Sequence, residues 1–329
     1  MSHSAARPER GQVKAGALNT HTLVAAPETV HWGFFDAALP PVLTIESGDR
    51  VELLTEPAGP RELLPRCAHR ASPAYRRILE SLPMGPSSHL LNGPIAVAGA
   101  APGDALEVHF ERIVLRYDWG YNTFLPLKGG LPEEFPYERF VLVELDRERG
   151  TGDWGAGIRV PLAPFFGNIA VAPPPGLGRV PSSLPGAWGG NLDNKELVAG
   201  TRLILPVFNP DALFSIGDGH GCQGDGEANS FALEAGLEAT VRLTLRRGLG
   251  LRLPRAETPT HYILMGFDPL LDNAAKNALQ ETVRFLVEEK KLARDDAYAL
   301  CSLAVDLRVT QVVNGVKGVH AMLARSLLE

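Results

Sequence analysis

The chain has 329 residues, long enough to bury a sizeable core. Hydrophobic content of 45% and charged content of 21% exclude disorder throughout, and a net charge of −6 argues against nucleic-acid binding through a basic face. With 34 glycines and 27 prolines, close to a fifth of the chain, a fold of long helices is excluded; turns and short strands must dominate.

Residues 1–20 form a polar N-terminal segment with no apolar run before His21, so no secretory signal is expected, and residues 21–329 read as a single domain. Three cysteines, Cys67, Cys222 and Cys301, are too few for a disulfide framework and point to a reducing, cytoplasmic setting. A turn-then-strand pattern recurs along the chain. Ser47-Gly48-Asp49 precedes Arg50–Leu54, Pro102-Gly103-Asp104 precedes Ala105–Phe110, Ala199-Gly200-Thr201 precedes Arg202–Leu205, and Ala235-Gly236 precedes Leu237–Leu245. In each, glycine permits a tight turn and the period-two run buries one face. Val42–Ile45 and Ile95–Ala98 read as first arms of hairpins closed by two of these turns. The spacing predicts a mainly β fold, an antiparallel sandwich or partly open barrel, with the repeated theme hinting at internal duplication.

The longest uncharged stretch, Val160 to Gly178, holds Pro161, Pro164, Pro173, Pro174 and Pro175, so it is expected to be a buried, loop-rich segment and no membrane span. A C-terminal helical segment follows from Leu271, Ala275, Ala278, Leu279, Val283 and Leu286, which predict a helix over Asp272–Lys291. Asp295 reads as the cap of a second helix, Asp296 to about Leu303, and Leu307–Val313 as a strand ending at the Asn314-Gly315 turn.

Chemistry concentrates in Gly217-Asp218-Gly219-His220-Gly221-Cys222-Gln223-Gly224-Asp225-Gly226-Glu227, where five of eleven residues are glycine. Alternating glycines let side chains two apart converge, and Asp218 with His220 suits a zinc-like ion. A solvated glycine loop carrying charges by default fits the same composition. The embedded G-x-G-x-x-G is disfavoured as a dinucleotide fingerprint, because Asp218, Asp225 and Glu227 would surround the phosphate. The calcium-loop pattern fails at its third and fifth positions. Cys222 beside three carboxylates is better read as an incidental thiol than as a nucleophile. There is no G-x-S-x-G elbow and no H-E-x-x-H helix, and the pairs Ser87-Ser88 and Ser182-Ser183 lack the glycine-rich setting and nearby lysine of the Ser-Ser-Lys amidases.

Several further segments stand in order along the chain. They are Val30-His31-Trp32-Gly33-Phe34-Phe35-Asp36, His89-Leu90-Leu91-Asn92-Gly93-Pro94, Phe166-Gly167-Asn168-Ile169-Ala170-Val171, Gly189-Gly190-Asn191-Leu192-Asp193, and Asp306–Val313 with Lys317-Gly318-Val319-His320. With the glycine-rich stretch, this series, from about His21 to His320, resembles the acetamidase/formamidase family. Asn92 stands where that family's pattern leads us to expect threonine. The resemblance implies hydrolysis of short aliphatic amides to carboxylate and ammonia, a mostly β architecture, a homo-oligomer, and a bound divalent metal, zinc being the first choice. On that basis Asp218 and His220 are the expected metal ligands, Asp193 and His31 are further ligand candidates, and Glu227 is the general base and then acid. Asp225 is expected to orient His220, His89 to lie at the edge of the site, and Trp32 with Phe34 to wall the acyl pocket. The competing class is a non-catalytic β-sandwich module that binds a divalent cation or a small polar ligand.

Overall fold

A computed structural model describes residues 18–328; most of the polar N-terminal segment lies outside them. Strands make up 40% and helices 16%, and among the described residues none of the sheets closes into a barrel. A nine-stranded sheet runs in the order Thr20–Val24, Arg50–Leu54, Leu237–Arg246, Ala105–Leu115, Arg202–Pro206, Arg255–Glu257, His261–Asp268, Lys317–Ala324, Val305–Gln311. A seven-stranded sheet centres on Phe165–Ala170, Phe214–His220 and Leu90–Val97. One hydrophobic core joins them, with Val51, Val108, Leu205 and Val241 from the first sheet and Ile95, Phe166, Phe214 and Ile216 from the second.

The recurring glycine turns do not close hairpins. Leu43–Ile45 joins the seven-stranded sheet as a parallel partner of Leu90–Val97, while Arg50–Leu54 after the turn belongs to the nine-stranded sheet. The same crossing is made after Leu90–Val97, after Gly189–Asn191 and after Phe214–His220. Each turn therefore arches from one sheet to the other, so both flanking strands send one face into the shared core. Two arches share their construction. Asp49 Oδ2 accepts from Glu46 N at 3.1 Å as Asp104 Oδ2 accepts from Ala101 N at 3.1 Å, with Gly48 (φ 101°) and Gly103 (φ 92°) left-handed before them.

Phe165–Ala170, inside the proline-rich stretch expected to be loop, is a fully buried central strand. The flanking prolines bound it without interrupting it. Among the described residues no helix is long and apolar enough to cross a membrane.

The helical segment packs on the far end of the nine-stranded sheet. Its first helix spans Leu271–Glu288 and buries Ala274, Ala278, Thr282, Phe285 and Leu286, a stripe rotated from the expected one. Small residues set this face: a Cβ on Gly266 of the underlying strand would lie 2.2 Å from Ala278 N, so helix and sheet backbones touch there. The helix stops short of Lys291, which adopts φ 64° and donates from Nζ to Glu288 O at 2.6 Å. The second helix is Arg294–Ala304, with Asp295 inside its first turn and no capping side chain at Ala293. The strand expected over Leu307–Val313 is Val305–Gln311 and ends two residues early, because Gln311 Oε1 accepts from the N–H groups of Val313 and Asn314 and turns the chain.

Candidate functional site

The expected glycine loop begins as a strand: its first four residues, Gly217 to His220, close the strand Phe214–His220, and residues 221–227 follow outside it. Phe214–His220 is buried at every residue and lies between Phe165–Ala170 and Leu90–Val97. Its glycines serve close approach rather than looseness: a Cβ at Gly217 would sit 2.0 Å from Leu90 O, and one at Gly219 would sit 2.5 Å from Ala235 O. Asp218 holds φ 60° in mid-strand, and Asp193 (φ 47°) and Glu227 (φ 46°) are left-handed too. That three carboxylates of one site share a conformation costly to non-glycine residues marks it as a place where positioning outweighs local stability.

His220 is the hub. Its Nε2 lies 3.5 Å from Asp218 Oδ1 and 3.6 Å from Glu234 Oε1, and the edge of Phe165 packs against the ring. Two groups share the imidazole, Asp218–His220–Glu234 and Asp193–His220–Glu227, each with its potential ligand atoms within 4.8 Å of one another. One oxygen of each aspartate is anchored. Asn168 Nδ2 donates to Asp218 Oδ2 at 3.1 Å and also to Asn191 Oδ1, while Asn314 Nδ2 donates to Asp193 Oδ2 at 2.5 Å. Gln223 Nε2 donates to Asp193 O at 2.8 Å, and Ala232 N to Glu234 Oε1 at 3.0 Å.

Four buried carboxylates around one imidazole repel one another in a poorly solvated space. Burial, above all, pushes Glu234 up to about 8, Asp193 up to about 6 and Glu227 well above the usual carboxylate range. Burial acts on Asp218 in the same sense, but His89 and His220 beside it prevail and hold it well below. For His220, burial is outweighed by Glu234 and Asp218, which keep the ring charged. Asp193 Oδ1, Glu227 Oε2, Glu234 Oε2 and His220 Nδ1 are buried with no hydrogen-bond partner. Buried polar atoms are rarely left so, and a divalent cation would satisfy this oxygen-and-imidazole set. Gly167 leaves room for it: a Cβ there would lie 2.4 Å from Asp218 Oδ2, 2.6 Å from Asp193 Oδ1 and 2.8 Å from His220 Cε1.

A cleft of about 460 Å³ leads to Asp218, His220, Glu227 and Glu234. Met84, Leu125, Phe231 and Val313 form its apolar walls, and Ser87, Ser88, His89 and Lys128 its polar ones.

Asp218, His220, Asp193 and Glu227 thus come together, and His89 lines the entrance. His31 does not join them. Its Nε2 meets Ser215 Oγ at 2.9 Å, its ring packs against Phe34 and Phe35, and burial lowers it to about 4. Asp225 does not orient His220, because its carboxylate pairs with Lys195 at 3.0 Å; Glu234 stands beside the imidazole instead. Trp32 belongs to a separate core cluster with Tyr75 and Ile78, and Phe34 stacks under Arg179, so neither walls the cleft. Burial raises the Cys222 thiol, which is not on the cleft. Sequence reasoning missed Glu234, Asn168, Asn191, Asn314 and Gly167. Gly167, Asn168 and Asn191 stand in segments that carry the family resemblance and Asn314 in an expected turn, with no role attached to any of them, and Glu234 shows as a lone charge inside the apolar run Phe231–Ala235.

The model of the acetamidase/formamidase family matches residues 85–180 and 178–323. An acetamidase of Mycolicibacterium smegmatis is 29% identical over 219 residues, which is 49% of this chain and 54% of that protein. The chain spans about half the length of the curated relatives it matches. Crystal structures agree over more of it. The acetamidase from Bacillus halodurans has a TM-score of 0.80 at 29% identity, covering 93% of this chain and 98% of that one. The acetamidase from Yersinia enterocolitica has a TM-score of 0.83 at 29% identity, covering 96% and 94%.

Proposed function

The chain belongs to the acetamidase/formamidase family, and from that premise and the acidic pocket we propose that it hydrolyses the C–N bond of short aliphatic amides, releasing carboxylate and ammonia. The observation that carries the reading is the cluster of unpartnered buried carboxylate oxygens around His220 at the end of a small cleft. Asp218 and His220, with Glu234 as a third donor, would hold a divalent cation, zinc being the best match to the donors. When bound, the cation supplies polarisation of the amide carbonyl and acidifies the attacking water.

The chain's own groups do the rest. Glu227 faces the cleft with Oε2 free, and there it takes the proton of the attacking water and returns it to the nitrogen as the C–N bond breaks. Asn168 and Asn314 each hold one oxygen of Asp218 and Asp193, leaving Asp218 Oδ1 beside His220 Nε2 and Asp193 Oδ1 unpartnered. Met84, Leu125 and Phe231 offer a short substrate an apolar wall and restrict water.

Ammonia release from formamide, acetamide and propionamide, measured with and without added Zn²⁺ on chelator-treated protein, tests the proposal. Metal-dependent release is the expected result. Metal binding without release would favour the non-catalytic binding module.

A further inference from the structure

Ser87, Ser182 and His89 form a hydrogen-bonded chain in the cleft wall. Ser87 Oγ donates to Gly33 O at 3.0 Å, the two hydroxyl oxygens lie 2.5 Å apart, and Ser182 Oγ lies 2.9 Å from His89 Nδ1. A carbonyl oxygen only accepts, and each hydroxyl has one proton to give. The three bonds can therefore coexist in one direction only. Ser87 gives its proton to Gly33 O, Ser182 gives its own to Ser87, and His89 must give the proton on Nδ1 to Ser182. Ser182 is wholly buried and its backbone N–H also donates to Gly33 O at 3.0 Å, so solvent does not compete for its hydroxyl.

With the proton fixed on Nδ1, the neutral form of the His89 ring carries its lone pair on Nε2. Among the described residues Nε2 has no hydrogen-bond partner, and His89 belongs to neither of the two groups suited to a cation. Its ring lines the cleft that ends at Asp218 and Glu227. An acceptor displayed there complements an N–H donor, and the nitrogen of an amide has such a donor where an ester oxygen has none.

We propose that His89 is a specificity-determining residue whose Nε2 accepts an N–H of the scissile amide, and that Ser182 and Ser87 are positioning residues that hold the tautomer this requires. The proposal rests on the amide-hydrolase reading for the identity of the donor. It confines good substrates to amides with at least one N–H on the scissile nitrogen. Esters and N,N-dialkyl amides of the same acyl group would leave the acceptor unpaired.

Two measurements test it on the full chain. Nitrogen NMR of ¹⁵N-histidine-labelled protein, with imidazoles neutral and His89 assigned from its loss in His89→Ala, is expected to place the proton on Nδ1. Methanesulfonamide, an unreactive carrier of –NH2, should move the Nε2 resonance, and dimethyl sulfone, with methyl in its place, should not. In Ser182→Ala the signal should become a mixture of tautomers. As inhibitors of acetamide turnover, methanesulfonamide should bind about tenfold more tightly than dimethyl sulfone, the equivalent of one hydrogen bond, and Ser182→Ala should lose that preference while kcat changes less than KM. A wild-type His89 protonated on Nε2, or an Nε2 resonance indifferent to methanesulfonamide, overturns the proposal. So does an Nε2 that responds to Zn²⁺ alone, which would make His89 a cation ligand. If no amide is turned over while the sulfonamide response stands, the amide-hydrolase reading falls and the acceptor role survives. Where the variants fail to fold, through-bond correlation of the ring nitrogens to the His89 backbone makes the same assignment, and the wild-type spectra then decide the tautomer.

Discussion

Gly167 faces Asp218, Asp193 and His220 where any side chain would enter the space among them. Gly167→Ala should therefore prevent cation binding and lower amide turnover by at least ~10²-fold, read by metal content and ammonia release on the same preparation. The acidic residues divide by role. Asp218→Asn is expected to remove cation and activity together, whereas Glu227→Gln should keep the cation and lose ~10²-fold or more of turnover. Loss of the cation in Glu227→Gln would instead assign it to the Asp193–His220–Glu227 group. Asp218, His220 and Glu227 were legible in the sequence because they fall within ten residues interleaved with glycines, of which Gly219 is demanded by close packing of the strand. Glu234 was not, since only the bridge between its backbone and His220 brings it back to the ring. The chemistry of His31 gave no clue that Ser215, 184 positions away, would occupy its Nε2.

The end of the Val305–Gln311 strand governs two parts of the site at once. Gln311, fully buried, accepts from Val313 N and Asn314 N and donates to Val316 O at 2.7 Å, shaping the turn that presents Asn314 to Asp193. The same strand end staples the Glu227 loop, through Gly226 N to Thr310 O at 3.0 Å and Val312 N to Gly226 O at 3.1 Å. Replacing Gln311 by leucine leaves three half-buried backbone groups, Val313 N, Asn314 N and Val316 O, without the side-chain amide that binds them, at up to about 1 kcal/mol each. Gln311→Leu should lower both thermal stability and Zn²⁺ affinity, checked by thermal unfolding and a zinc titration. Sequence periodicity marks the strands that follow the glycine turns and most of Val305–Gln311, and Asn314-Gly315 reads as a turn, but of the strands that carry the site's acids and asparagines it marks little. It also leaves pairing open. A glycine turn between two alternating runs looks the same whether the chain folds back in one sheet or crosses to another, and only packing of both faces into the core selects the arch. The strand Phe165–Ala170 escaped notice for a related reason: buried on both faces, it shows no alternation.

For the molecule as a whole, the buried acids couple cation, pH and stability. Without a cation, Glu234 titrates at about 8 against an ordinary 4.5, and Asp193 at about 6 against 3.8. A carboxyl with a raised folded pKa keeps its proton in the native state after the unfolded chain has lost it. Native stability therefore falls as pH rises from the unfolded values through the folded ones. Asp218, held low, acts in the opposite sense, but only below its unfolded value of 3.8. His31 and His320, each lowered by burial to about 4, act in the opposite sense up to the ordinary histidine value of 6.5, so cation-free protein is expected to lose thermal stability from about pH 6.5 to about pH 8. Zn²⁺ at a hundredfold excess over its dissociation constant should raise Tm by about 5 °C, with the largest gain at the upper end of that range. Calorimetry at several pH values, with and without metal, checks both.

The claim on which the account turns is that the acids around His220 hold a divalent cation needed to hydrolyse short amides. The most direct test is the rate of ammonia release from formamide, followed as chelator-stripped protein is titrated with Zn²⁺, with metal content measured at each point. The account predicts that stripped protein is inactive and that activity rises in step with bound cation until the site saturates. Full activity in demonstrably metal-free protein would contradict it.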